Sequence, residues 1–558
     1  MNILTPHAEV IVWNYTQRVG IDNMSKKSSS SIDETFLLGS HITKISTSKS
    51  KSQPGASFEI GLAPTYNWIS RLTPGSWCAI LMSPNEKPPS SPKNIGTVSQ
   101  STLKMLGRID SVRSSMSVDG EGSRTISYIV TGTDWSSVFN TNVYLDPIVL
   151  TSGLLSLSAI GQAQATVYAE WLNNIANSNQ TLPSTTSNIK QLIKFWGAAG
   201  DSLVSNIKTN SASLAGLALN AGNQYEMPSE VVKYLGLSSS SMSTNIQVVS
   251  GKLTADDTYQ DVNDAYAIIQ PDSVMGTHTL WQLINDNCNN IVNEVIPEIR
   301  WPTNSQVNLT LYKRARPFLN RVPPKLPTEA AKNASYFKNV KSHLIPLSHI
   351  MSCNAGTNWR DSFNFIEIMP VIPIKELTGL NNIMKKEAQV SDIEAFKRDG
   401  FRPFQVTSHY AIYPDGTNNK EEVLFTAMTQ WKILLQEWYF GTQNLLNGSI
   451  SFIGQGNYIG VGDNIMVEAQ AVSLTPMSSA QSGKAFLLAH VESIAHDFVV
   501  DAEGSRNFYT SIQFVRGIIV NDKKEPVDPN TGIALDLNAS DMPSDAERTP
   551  SVIFTESV

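Results

Sequence analysis

Cysteine is scarce in this 558-residue chain. Cys78, Cys288 and Cys353 lie far apart without pair spacing, which excludes a disulfide framework and offers no zinc-ligand pattern. No apolar run approaches the roughly 18 residues of a membrane-spanning helix. Met1 to Trp13 also lacks the basic region and apolar core of a signal peptide, so synthesis in a reducing compartment without export or membrane insertion is expected. Charge is thin as well: Asp, Glu, Lys and Arg make up 16% of the chain, against about 25% in an ordinary globular protein. The net charge of −7 and a pI near 5.7 argue against sequence-independent grip on phosphates. The nearest thing to a basic patch, Lys44, Lys49 and Lys51 in a serine-rich stretch, reads as a solvated loop. A phosphate loop, a dinucleotide fingerprint, a nucleophile elbow and a His-Glu-x-x-His pair are all missing, so no cofactor or metal is expected.

What the chain does have is one short stretch twice. Val118-Asp119-Gly120-Glu121-Gly122-Ser123-Arg124 returns as Val500-Asp501-Ala502-Glu503-Gly504-Ser505-Arg506. Each copy is preceded in the same register by alternating residues, Gly107 to Val112 and Ala489 to Ile494, and followed by Ile126, Tyr128, Val130 or by Phe508, Ile512, Phe514. Strict alternation marks half-buried strands, and an acidic, glycine-containing insert between two of them marks a hairpin turn. Upstream, Gly55 to Gly61 resembles Gly448 to Gly454, and a further glycine opens an apolar strand in each case, Gly75 before Trp77 and Gly462 before Ile465. The order strand, glycine, strand, hairpin therefore occurs twice, which reads as an internal duplication.

Taken in order, residues 8 to 13 read as a first strand, residues 47 to 54 as an exposed loop, and everything to residue 140 as one β domain. From Val143 the period becomes helical, through Val167, Trp171 and Ile175 and then Ile189, Leu192 and Trp196. Leu280, Leu283, Ile284, Ile291 and Val295 suggest an amphipathic helix closed by Pro297. Strands follow around Val307 to Leu311, and Phe363 to Ile368 reads as the strand that opens a second β domain. Glu421 to Leu446 forms a second amphipathic helix that Gly448 stops. From Asn521 the tail carries eight acidic residues, three basic residues and four prolines, a composition that favours disorder over packing. The division expected is 1–140 first β domain, 141–270 helical insertion, 271–360 mixed connecting domain, 361–525 second β domain with a long helix, and 526–558 acidic tail.

Candidates for chemistry are few. His490 and His496 share strand parity but sit roughly 20 Å apart along an extended strand, too far to ligate one metal. His343 and His349 flank a proline with no carboxylate or cysteine at ligand spacing. Asp119 with Glu121 and Asp501 with Glu503 could be catalytic carboxylate pairs, but turns favour Asp and Gly for backbone reasons. Their presence in both copies favours a structural role, so Asp119, Glu121, Arg124, Asp501, Glu503 and Arg506 are taken as hairpin and subunit-contact residues, and the protein as a non-enzyme.

An ordered set of short motifs adds to this. Leu106-Gly107-Arg108-Ile109-Asp110 is followed by Tyr128 to Trp135, Asn293-Glu294 with Arg300, Arg316-Pro317-Phe318, Gly400-Phe401-Arg402-Pro403 and Val461-Gly462-Asp463. In this order the chain resembles the baseplate hub proteins of contractile-tailed bacteriophages, related in fold to the hub part of type VI secretion spike proteins. The resemblance implies an α+β, mainly β fold with two similar tube-type β-barrel domains and a helical or mixed insertion between them. It also implies a homotrimer that joins a six-fold tail tube protein to a three-fold central spike protein, nucleates the tube and touches other baseplate proteins. DNA would pass through the lumen without sequence-specific binding, with Glu121 and Glu503, or Asp110 and Glu492, as candidate lining residues. Such a protein belongs in the virion tail and is assembled in the host cytoplasm. The alternative is a tail-associated cell-wall hydrolase with the helical insertion as its catalytic domain.

Overall fold

The computed structural model describes residues 5–15, 32–85, 102–118, 124–140, 142–145, 227–237, 246–251, 276–279, 281–282, 293–303, 306–315, 340–360, 362–370, 390–391, 393–408, 432, 435, 439, 445–454, 458–469, 485–501 and 503–524. The fold is mainly β. Most of it is one 13-stranded sheet built from two halves.

The first half holds β1 (His7–Tyr15), β2 (Ile32–Leu37), β3 (Ile42–Ser50), β4 (Ser57–Leu62), a helical turn α1 (Trp68–Arg71), β5 (Trp77–Ser83), β6 (Leu103–Val118) and β7 (Arg124–Asp134). The run of the sheet is β3-β4-β7-β6-β5-β1-β2. Strands β1 and β5 are near-continuous apolar sequence because both of their faces are covered. Ile11, Trp13, Trp77 and Ala79 face one core, while Val10, Val12, Cys78 and Ile80 face another.

Between the halves come β8 (Asn142–Leu145), α2 (Ser229–Leu235), β9 (Ile246–Gly251), β10 (Gly276–Thr279), β11 (Asn293–Thr303) and β12 (Gln306–Ala315). Helix α2 ends on Gly236 in the left-handed region, φ 67°, where glycine carries no Cβ penalty. Val231 and Tyr234 of α2 and Ile299 and Leu309 of the small β11-β12-β9 sheet close over Trp13 and Trp135, with the Trp13 and Tyr234 rings 5.1 Å apart.

Strand β11 corrects the sequence reading. Val295 and Pro297 do not end a helix; they lie inside a strand, opposite Lys313 and Leu311. Among the described residues β11 is the edge of its sheet, the position where a strand tolerates proline, and the β-branched Val295, Ile296 and Ile299 favour the extended state. Most of the expected helical insertion falls outside the described residues, as do Leu283, Ile284 and Ile291.

The second half opens with β13 (Ser342–Ile345) and β14 (Ile350–Gly356). Next come β15 (Phe365–Pro370), β16 (Val390–Ser391), α3 (Ile393–Asp399) and β17 (Pro403–Ser408). The strand at Phe365 therefore does not open the second half; it forms a separate sheet in the order β16-β15-β17. The half is completed by β18 (Leu446–Ile453), β19 (Asn464–Glu468), β20 (Phe486–Val500) and β21 (Arg506–Val520), in the order β14-β18-β21-β20-β19-β13. Of the long helix expected before it, Lys432, Leu435 and Tyr439 are described and helical. Gly448 is a strand residue opposite Phe514 and does not stop that helix. Among the described residues no strand pairing closes either half into a barrel.

The halves meet edge to edge. β20 pairs β19 from Phe486 to His490 and then β3 from Ser493 to Val499. Residues 47 to 50, expected in a loop, are thus the strand that joins the two halves.

Candidate assembly interface

The duplication extends to single hydrogen bonds. In both halves the order is strand, glycine, strand, hairpin: β4-β5-β6-β7 and β18-β19-β20-β21. One constant offset in sequence carries Ile109 to Val491, Ser111 to Ser493, Val130 to Ile512 and Arg124 to Arg506. The hairpin register slips by one residue between Ile109 and Ser111 in the first half and between Val491 and Ser493 in the second. The extra residues at these bulges are the acidic Asp110 and Glu492. A bulge sends the strand's side chains to the other face: Val491 and Ile494 face the same core, as Ile109 and Val112 do in the first half. His490 and His496 straddle the bulge, so they do not share a face as their parity suggests.

The upstream match is real but shifted. Ile60 lies opposite Val130 and Ile450 opposite Ile512, so Ile60 corresponds to Ile450. The end glycines Gly61 and Gly454 are not counterparts.

The turn residues behave as backbone chemistry predicts. The Asp501 carboxylate accepts hydrogen bonds from the Glu503 and Ser505 N–H groups at 3.1 and 2.7 Å, and Gly504 turns the chain at φ +84°. Arg506 reaches across to the first half, with Nη1 3.2 Å from Nδ1 of His7. Asp119 and Glu121 lie outside the described residues. Arg124 opens β7.

Beside the turn, the tip of the second hairpin enters the first half. Phe498 and Phe508 are buried in the core of Val10, Ile45, Ile60 and Val130, and Val500 packs against it. Their counterparts on the first hairpin are Met116, Ile126 and Val118, and these are 62%, 42% and 58% exposed.

A buried ionic cluster locks this junction. Lys49 Nζ is 3.0 Å from Glu298 Oε2 of β11, Lys51 pairs with Glu294, and the Tyr458 hydroxyl donates to Glu298. Lys51 Nζ also donates to Nε2 of His490 at 3.1 Å, while His490 Nδ1 lies 3.0 Å from Asn464 Oδ1. That pattern requires a neutral imidazole, because a lysine ammonium donates and never accepts. Lys49 and Lys51 are therefore not solvated. Of the three lysines only Lys44 is at the surface, paired with an exposed Glu59.

A cavity of about 20 Å³ at the centre is lined by Lys49, Lys104, Asp134, Glu298, Tyr458 and His496. Burial pushes Asp134 up to about 6, partly offset by Lys49 and by Ser136, and brings Lys104 down to about 7. Burial and the nearby Lys104 hold His496 below its usual range, so it is neutral. Asp134 also ties β7 to β4, accepting from the Ala56 N–H at 3.0 Å and the Ser136 hydroxyl at 2.6 Å. His343, which has no acid nearby in sequence, meets Asp463 at 2.8 Å.

Among the described residues no group of three or more His, Cys, Asp or Glu side chains could hold a metal ion, and no helix is long and apolar enough to cross a membrane. The cluster's chemistry is that of a clamp. Its charges are consumed in holding β3, β11, β19 and β20 together.

No family model and no curated protein matches the chain. Similar solved structures exist. A tail protein from Neisseria meningitidis MC58 has a TM-score of 0.39 at 11% identity, covering 92% of this chain and 96% of that one. The 43 kDa tail protein of prophage MuSo2 from Shewanella oneidensis has 0.38 at 10%, covering 92% and 98%. A Francisella PdpA-VgrG complex has 0.34 at 8%, covering 92% and 59%. At TM-scores below 0.5 these likenesses carry no weight for individual residues.

Proposed function

We propose that this protein is a structural virion protein, the homotrimeric baseplate hub that joins a six-fold tail tube to a three-fold central spike and starts tube assembly. One observation carries the reading: each chain holds two copies of one β unit, matched to the bulge and joined edge to edge. Three chains then offer six such units, the number a six-fold tube requires, while the assembly keeps the three-fold symmetry of a spike. In this reading each half contributes a tube-type barrel, closed in the assembled ring and not within one chain.

The ring would surround a channel for DNA. Asp110 and Glu492 support this part, because the two acidic residues hold the same bulge position in each half and would repeat six times around the ring. A ring of carboxylates repels phosphates, so DNA would slide without sticking. Tail tube, spike and further baseplate proteins are the partners, and the buried ionic cluster serves to fix the angle between neighbouring units.

Mass photometry at micromolar concentration tests the stoichiometry, and negative-stain microscopy tests the outline. A species of about three times 61.1 kDa with six-lobed ring views is expected. A stable monomer would end this reading, and a lytic band on a peptidoglycan zymogram would move the assignment to a cell-wall hydrolase.

A further inference from the structure

The two hairpin tips hold corresponding positions but have different surroundings. The tip of β20–β21 is buried against the first half of its own chain, whereas Met116, Val118 and Ile126 on the tip of β6–β7 face solvent. The backbone repeats the contrast. Beyond its bulge β20 pairs with β3, while from Ser111 to Val118 the corresponding edge of β6 has no strand partner among the described residues. One other edge is open in a complementary way. β14 flanks β18 as β3 flanks β4, and its far side has no strand partner among the described residues.

We infer that β6 pairs antiparallel with β14 of a second copy of this chain, in the register that β20 keeps with β3 inside one chain. Two equivalences fix that register. The shared bulge sets β6 on β20, so that Met116 stands for Phe498. On the other side Ile45 lies opposite Ile60 and Cys353 opposite Ile450, and Ile60 corresponds to Ile450, so Cys353 stands for Ile45. Phe498 lies opposite Ile45. Met116 therefore falls opposite the partner's Cys353, and Ser114 opposite the partner's Ala355.

The side chains suit the pairing. Cys353 and Ala355 are half-buried against the second half's core, where Ile45 in the first half is fully buried. Met116 would cover them as Phe498 covers Ile45. Met351, 56% exposed, lies at the end of β14 that this register brings to Val118. An apolar exposed edge strand is otherwise an aggregation hazard, and a matching edge on a second copy removes it. Because the two edges belong to different halves, the contact is head-to-tail and must either close into a ring or run on as a filament. Closure at three rests on the hub reading above; the pairing itself does not.

The native Cys353 supplies the test. Directly opposed residues of antiparallel strands have Cα atoms about 4.5–5.5 Å apart, within the span of a disulfide. Met116→Cys should give covalent trimers on a non-reducing gel under mild oxidation, reversed by thiol. Met116→Cys with Cys353→Ser should not, and neither should Ser115→Cys, whose side chain points to the other face. A second variant, Met116→Asp, should shift the mass from trimer to monomer at the same concentration with an unchanged circular dichroism spectrum. Trimers in which the Met116→Cys chains fail to cross-link under oxidation, or trimers that survive Met116→Asp, would overturn the pairing and leave the hub reading standing. Cross-linked open filaments would keep the pairing and overturn three-fold closure, and a monomer under all conditions would overturn both.

Discussion

Gly75 and Gly462 do the same work in the two halves. Each sits at positive φ, 90° and 85°, and each N–H donates to the carbonyl of the residue before the bulge, Ile109 at 2.6 Å and Val491 at 3.0 Å. The next residue returns the bond, since the carbonyls of Ser76 and Asp463 accept from Ile109 and Val491 at 2.9 Å. The glycine thus locks the bulge that redirects the long hairpin.

Alanine at either position is expected to cost about 1–2 kcal/mol, the penalty of a side chain in left-handed backbone. Space is not the difficulty at Gly75, where a Cβ would meet only the end of the Arg108 side chain at 3.6 Å. Gly356, with open space around it, is the control and should change stability by less than about 0.5 kcal/mol. Urea denaturation of the three variants checks the contrast.

A second prediction concerns a swapped pair. Phe58 lies opposite Gly132, and at the corresponding site Gly448 lies opposite Phe514. Aromatic and glycine have exchanged strands, so each half keeps one ring over one bare backbone. A Cβ at Gly132 would strike both the Phe58 ring and the Arg108 carbonyl oxygen. Gly132→Ala is expected to lose about 2–3 kcal/mol as an overpacked core site. Adding Phe58→Leu should recover only part of it, because the Arg108 carbonyl cannot retreat; thermal melts of the single and double variants decide.

The ionic clamp gives a third. Lys49→Met leaves Glu298 buried without its main counter-charge and should cost about 3–5 kcal/mol, while Lys49→Met with Glu298→Leu should recover most of that loss. Equal destabilisation in both variants, measured by chemical denaturation, would show that the pair acts only through its packing.

Much of this was legible in the sequence. The repeat Glu-Gly-Ser-Arg marked both hairpins because turns and alternating strands are local features, but not their register, because the bulges at Asp110 and Glu492 break the alternation without a sequence signal. The upstream alignment failed because glycines marked different things: Gly454 packs against the Phe508 ring, whereas Gly61 is an ordinary ladder residue. Pro297 reads as a helix end because a helix interior excludes proline, whereas an edge strand tolerates it. Lys49 and Lys51 looked solvated because their partners, Glu298 and Glu294, lie more than two hundred residues away. No window on the sequence shows a long-range ion pair.

A fourth prediction is a pH dependence. Burial takes Lys104 from 10.5 to about 7 in the folded state. Between pH 7 and 10.5 the unfolded chain then binds more protons than the native one, so this group makes stability rise with pH, by about 1.4 kcal/mol per unit. Asp134 runs the other way in a lower window: its raised folded value, about 6, gives stability that is full below about 4 and lost as pH rises to 6. Lys104→Met should therefore gain most over the parent at pH 7 and converge with it towards pH 10, as followed by denaturation midpoints.

Strand β20 belongs to both halves. Its first residues complete the second half, its last residues complete the sheet of the first, and Phe498 sits in the first half's core. Neither half can melt and leave the other a finished edge. Calorimetry should therefore record one cooperative transition for the two repeats, and a protease cut within β20 should release both halves to digestion together. A duplicated sequence has here given up the independence that duplicated domains usually keep.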